Sequence, residues 1–318
     1  MSEVSGSPPE SVEDELASRA AAAGTLLGRE PSVELIESIA TVALQLHYPN
    51  GEFPRYLTAL SQALRQEPPP FGTGEYRLIY QSLSAESRWM AVSLLRNAER
   101  EGDGSKRLWS LAACSVDKEQ QGLLKRHACD ESRHALIYLA LLNLAFPGAV
   151  SQEFGIELRQ LSPGFSMRME LFPVPGSPYA KVPTVDDFLQ MNIAEIRTAI
   201  HHTMQRPALA GHCPPENLAK ITQLHDALLV DELSHIAYTG MLVDGITRGV
   251  DPERLAALFG KRLHDFNNIT TGELGSNVFD CSVACCARNA TCRAKATDPA
   301  SEQVLHQIGF TPLASRVG

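Results

Sequence analysis

Two short stretches of the chain carry the same arrangement of chemically active side chains, Asp130-Glu131-Ser132-Arg133-His134 and Asp231-Glu232-Leu233-Ser234-His235. No other Glu-x-x-His occurs in the 318 residues, and Asp precedes Glu in both copies. Random placement of the same residues gives about 0.03 copies of the five-residue pattern. A carboxylate and an imidazole three residues apart on a helix share a face, so each pair can grip one metal ion. Apolar runs adjoin both copies, ALIYLALL after the first and ALLV before the second. Ionisable groups in such a setting are costly unless they are paired or bind metal. Two pairs facing each other would serve two ions, and each ion needs further oxygen ligands.

The elements that must position these groups are long helices, because no sustained apolar–polar alternation between turn pairs marks a strand. Short helices are expected over 31–47 and 53–66, and EPPPFGTGE then breaks the chain. A long helix is expected from Ser84, its N-cap, to Ser115, with Leu94, Ala98, Glu101, Leu108 and Ala112 on one face. A second runs from Asp117 to Phe146 and stops at Pro147-Gly148. The connection 147–183 is rich in Pro, Gly and Ser. A third helix starts at Thr184, with Asp187 completing a capping box, and ends near Ala210, where Pro207 disturbs its last turns. A fourth runs from Pro214-Pro215 to Arg248-Gly249, and a smaller one covers 251–266. If the chain turns near 115–117, Glu101 stands at the height of Glu131. A turn near 211–215 puts Glu195 level with Glu232 in the same way. Glu99 competes with Glu101, but its neighbours Arg96, Asp103 and Lys106 define a solvated face.

On these residues the segment 84–248 resembles the ferritin-like di-iron carboxylate superfamily, in which two helices give one Glu each and two give Glu-x-x-His. The Asp-Glu-x-x-His form is similar to its oxygen-activating branch of monooxygenases, acyl desaturases, ribonucleotide reductase small subunits and arylamine N-oxygenases. The resemblance implies an all-α, ferritin-like four-helix bundle with a long crossover between its second and third helices, plus extra N- and C-terminal helices. It implies two Fe, with room for Mn at one position, held by Glu101, Glu131, His134, Glu195, Glu232 and His235. Glu195 and Glu232 would shift between bridging and terminal binding during catalysis. Asp130 and Asp231 would accept hydrogen bonds from the ligand histidines, with Arg133 neutralising an aspartate. The implied activity is O2-dependent hydroxylation or N-oxygenation of a small organic substrate. No flavin or nicotinamide fingerprint is present, so an external donor, a reductase or ferredoxin, would supply the electrons. A desaturase or radical-generating oxidase is the first alternative and a non-catalytic iron-binding protein the second. Buried ion pairs without metal are the third.

Other residues near the motifs need their own reading. Gly102 and Gly104 follow Glu101, and each costs a helix about 1 kcal/mol relative to Ala. That points to a backbone distortion or close approach making room for substrate, against a loop that would expose Glu101. Tyr138 lies four residues after His134, where reductase subunits carry a radical, although bundle packing explains it as well. His202, two turns after Glu195, is expected beside the site rather than on a metal, and His201 on the outer face. His225, two turns before Glu232, gets the same reading as His202. Arylamine N-oxygenases add a third His four residues before the Glu of the fourth helix, and Leu228 stands there in this chain.

The net charge of −9 and pI near 5.6 argue against nucleic acid as a partner. No run of eighteen apolar residues suggests a membrane span, and the acidic N-terminus is unlike a secretory signal. Seven cysteines without such a signal suggest a cytoplasmic, reducing setting. Cys281, Cys285, Cys286 and Cys292 lack the paired spacing of a strong zinc site. The expected organisation is a disordered leader over 1–30, a helical domain over 31–270 and a Cys-containing tail over 271–318, with a homodimer left open.

Overall fold

The computed structural model describes residues 21–274. The four clustered cysteines of the tail therefore lie outside the described residues, as does most of the expected leader. Ala23 and Leu26 are already buried, so the packed chain begins before residue 30: the run AAAGTLL supplies apolar surface that the core takes up.

The described residues are helical, with no β-strand among them. Val33–His47 (α1) starts at Ser32, whose hydroxyl accepts from the Leu35 N–H. Pro54–Gln66 (α2) lacks a side-chain cap of its own. Instead, the Asp244 carboxylate accepts from the Arg55 and Tyr56 N–H groups, at 3.0 Å each, across more than 180 residues of sequence. Gly74–Ser84 (α3) was not expected. It starts where Thr73 accepts from the Tyr76 N–H, a cap hidden in the turn-rich stretch. The first long helix consequently begins at Ser87 rather than Ser84, and Glu86 at its N-cap makes no side-chain bond.

Four long helices follow: Ser87–Cys114 (α4), Lys118–Ala145 (α5), Val185–Ala210 (α7) and Leu218–Ile246 (α8). The crossover contains a short helix, Gln152–Leu158 (α6), and a 3-10 turn at Arg159–Leu161. Pro252–Leu274 (α9) runs about two turns beyond the expected end. The capping box at Thr184 and Asp187 forms, and α7 continues through Pro207 to Ala210. α4 packs on α5 and α7 on α8 as hairpins, and α5 also meets α8. α1 packs on α8, while α9 packs on α2 and α7.

Two apolar clusters fill the space between the long helices. On α4 the buried residues from Met90 to Ala98 belong to one and those from Leu108 onward to the other, with Glu101 between them. On α5 the same handover occurs between Ala128 and Tyr138, which bracket Glu131 and His134. A polar layer thus sits where one core gives way to the other. Among the described residues no helix is long and apolar enough to cross a membrane.

Candidate metal centre

Equal distances from the two hairpin turns bring the predicted residues to one height. Glu101 of α4, Glu131 and His134 of α5, Glu195 of α7, and Glu232 and His235 of α8 all point into the polar layer. Glu99 is exposed. Atoms of Glu101, Glu131 and His134 lie within 4.8 Å of one another, and so do those of His127, Glu131, Glu195 and His235. Glu131 belongs to both groups. Glu232 lies between the motif histidines, 3.5 Å from His134 Nδ1 and 3.5 Å from His235 Nδ1.

The outer nitrogens of these histidines are held crosswise. His134 Nε2 lies 3.0 Å from Asp231 and His235 Nε2 lies 3.3 Å from Asp130. Each aspartate therefore serves the histidine of the other copy, not its own. Arg133 donates to both, at 2.9 Å to Asp130 and 2.6 Å to Asp231, which is more than the single neutralised carboxylate expected of it. The inner atoms differ from the outer ones. His134 Nδ1, His235 Nδ1, His127 Nε2, Glu131 Oε1 and both Glu232 oxygens are buried without a hydrogen-bond partner. Orphaned polar atoms cost about 1–3 kcal/mol each when left so. Convergent carboxylate oxygens and imidazole nitrogens that lack partners are the donor set of a metal site, and buried His and Glu groups here could hold a metal ion.

The electrostatics agree. Burial, then repulsion from Glu131, Glu232 and Glu195, pushes Glu101 well above the usual carboxylate range. Burial followed by Glu195 does the same to Glu232. Burial opposes charge on Glu131 too, but the neighbouring Glu101, His127 and His134 outweigh it and hold that carboxyl well below its ordinary value. Burial also opposes charge on His134, but Asp231, Glu131 and Glu232 lift it to about 10.

His127 was not anticipated. It lies one turn before Glu131, four residues on, and its Nε2 is 3.3 Å from both Glu131 and Glu195. The first copy carries a His-x-x-x-Glu-x-x-His register, and Leu228 stands at the equivalent position of the second. His202 sits beside the cluster, its Nε2 3.6 Å from Glu232, stacked on Tyr138 at 6.1 Å and 15°. His225 packs edge-on to His202, away from both groups of converging atoms. His201 is not on an outer face. It stacks on Tyr76, with the Tyr76 hydroxyl 2.6 Å from its Nε2.

A cavity of about 410 Å3 reaches this cluster. Glu101, Glu131 and Glu195 line it, with Gly104, Tyr138 and Met191 beside them. The two glycines have separate reasons. A Cβ on Gly102 would lie 2.0 Å from the Leu161 carbonyl oxygen, so Gly102 admits the crossover backbone. A Cβ on Gly104 would lie 3.3 Å from Glu131 Oε2, so Gly104 keeps the cavity open there. α4 remains a regular helix through both, and Glu101 does not lie in a loop. Comparison of the chain with family models, with curated proteins and with solved structures gives no match.

Proposed function

We propose that this chain is a ferritin-like di-iron oxygenase that hydroxylates or N-oxygenates a small organic substrate. The observation that carries this reading is the convergence of unpartnered Glu and His atoms from four helices, with one carboxylate, Glu131, common to both groups. Carboxylate and imidazole donors suit iron, and suit manganese at one position. Glu101, Glu131, His134 and Glu232 would hold one ion, and His127, Glu131, Glu195 and His235 the other. Bound iron supplies the reduction of dioxygen, with electrons from an external reductase or ferredoxin. One oxygen atom enters the product and the other leaves as water.

The chain's own residues do the rest. Asp130 and Asp231 fix the ring orientation of the two motif histidines and raise their basicity. Glu232, placed between those rings, and Glu195, which lines the cavity, are the carboxylates free to change position as substrate arrives. The cavity is of the size that takes a small organic molecule. The apolar clusters on either side of the polar layer keep bulk water from the reacting groups.

The test is to load the protein with ferrous iron without oxygen, count the ions, and then admit oxygen with a reductant and a panel of small organic molecules. Two ions per chain, and oxygen uptake matched to an oxygenated product, are expected. Iron accumulating far beyond two per chain would favour storage. A persistent tyrosyl signal lost in Tyr138→Phe would favour the radical-generating alternative. Failure to bind any divalent ion would falsify the metal reading.

A further inference from the structure

His134 and His235 rest their outer nitrogens on carboxylates, and His127 does not. Its Nδ1 lies 2.7 Å from the Tyr238 hydroxyl. Its Nε2, without a hydrogen-bond partner, faces Glu131 and Glu195. Tyr238 is buried, and the other neighbour of its hydroxyl is the Met191 sulfur at 3.9 Å, a weak acceptor. The His127 ring is held on two sides, stacked on His235 at 3.7 Å and edge-on to Tyr238 at 5.6 Å.

A neutral imidazole has one N–H and one lone pair. When the phenol oxygen accepts from Nδ1–H, the proton stays on that nitrogen and the Nε2 lone pair is left facing the carboxylate oxygens. Asp130 and Asp231 do this for the other two rings with a full negative charge. Tyr238 would do it with a neutral dipole.

We infer that Tyr238 is the positioning residue that holds His127 as a seventh ligand, so that the two ion positions are not equivalent. The inference rests on the two-ion reading proposed above. One position depends on a single ring, His134, anchored by Asp231. The other depends in part on an uncharged phenol, and removal of one hydroxyl loosens that position and spares its neighbour. Removing the outer partner of a ligand histidine lowers metal affinity about 10–100-fold.

The probe is manganese(II), titrated into the full chain without iron, with free and bound ion counted by electron paramagnetic resonance. Wild-type protein is expected to bind two ions. Tyr238→Phe is expected to keep one at wild-type affinity and to bind the other about 10–100-fold more weakly. His127→Ala should weaken the same position, and Asp231→Asn the opposite one. Tyr56→Phe, which removes a buried phenol hydroxyl bonded to Asn192 rather than to a site residue, should bind both ions as wild type does. Tyr238→Phe with two wild-type affinities would overturn the inference and leave the two-ion reading standing. Equal weakening of both positions would also overturn it, since packing alone would then be at work. A wild-type protein that binds no pair of ions would remove the two-ion reading, and this inference with it.

Discussion

Glu131 belongs to both groups of converging atoms, whereas Glu195 belongs to one. Glu131→Ala is therefore expected to abolish binding of both ions, and Glu195→Ala to leave one near its wild-type affinity, as counted by elemental analysis after dialysis. Glu99→Gln, on the solvated face, should bind both. Six of the seven side chains that converge were legible in the sequence because helix geometry turns a spacing of three into a shared face, and equal distance from a turn into equal height. His127 obeys the same geometry, one turn before Glu131, but only one copy of the motif carries it, with Leu228 at the matching position of the other. The crosswise aspartate contacts could not be read, because they depend on how the second hairpin is rotated against the first, and no local spacing encodes that rotation.

At the scale of the helix, α4 carries two glycines with different consequences. Gly102→Ala would drive a methyl into the Leu161 carbonyl, where backbone must move, and overpacking of this kind costs about 1–3 kcal/mol. A lowered denaturant midpoint with unchanged slope would report it. Gly104→Ala meets only the end of the Glu131 side chain. The helix gains about 1 kcal/mol from losing a glycine, so stability should hold or rise while the cavity beside Glu131 narrows and KM for bulky substrates increases. The long helices were legible from their apolar faces, and α5 and α7 also from their starts at Asp117 and Thr184. α3 was not, since its start at Thr73 lies inside a Pro- and Gly-rich run that reads as a break. The cap of α2 by Asp244 was also hidden, because its donor and acceptor are far apart in sequence.

For the whole molecule, the converging carboxylates make metal-free stability depend on pH. Glu101 and Glu232 are raised above their ordinary values, so the folded state binds more protons there than the unfolded chain does. The sign of linkage then makes stability fall as pH rises from the usual glutamate range through the folded values. His134, raised to about 10, acts in the same direction: its contribution is full below about 6.5 and is lost as pH climbs through 10. Glu131 is depressed and acts oppositely, its contribution lost only as pH falls well below the usual carboxylate range. Burial holds His201, His202 and His225 below their ordinary values, so they oppose this trend up to about pH 6.5, and the melting temperature of the metal-free protein should decline between about pH 7 and pH 9. Ions displace the retained protons, so calorimetry in buffers of different ionisation enthalpy should detect protons released on loading. At a hundredfold excess over Kd each ion adds about 2.7 kcal/mol, and the decline should flatten. A loaded protein that melts with the same pH slope as the metal-free one would contradict this.

Arg133 gives the arrangement one more consequence. A single guanidinium joins Asp130 of one motif to Asp231 of the other, and the second motif has Ser234 where a matching arginine would stand. The likeness between the two halves therefore ends at a shared cation that only one of them supplies. A change at that position would be felt by both halves together.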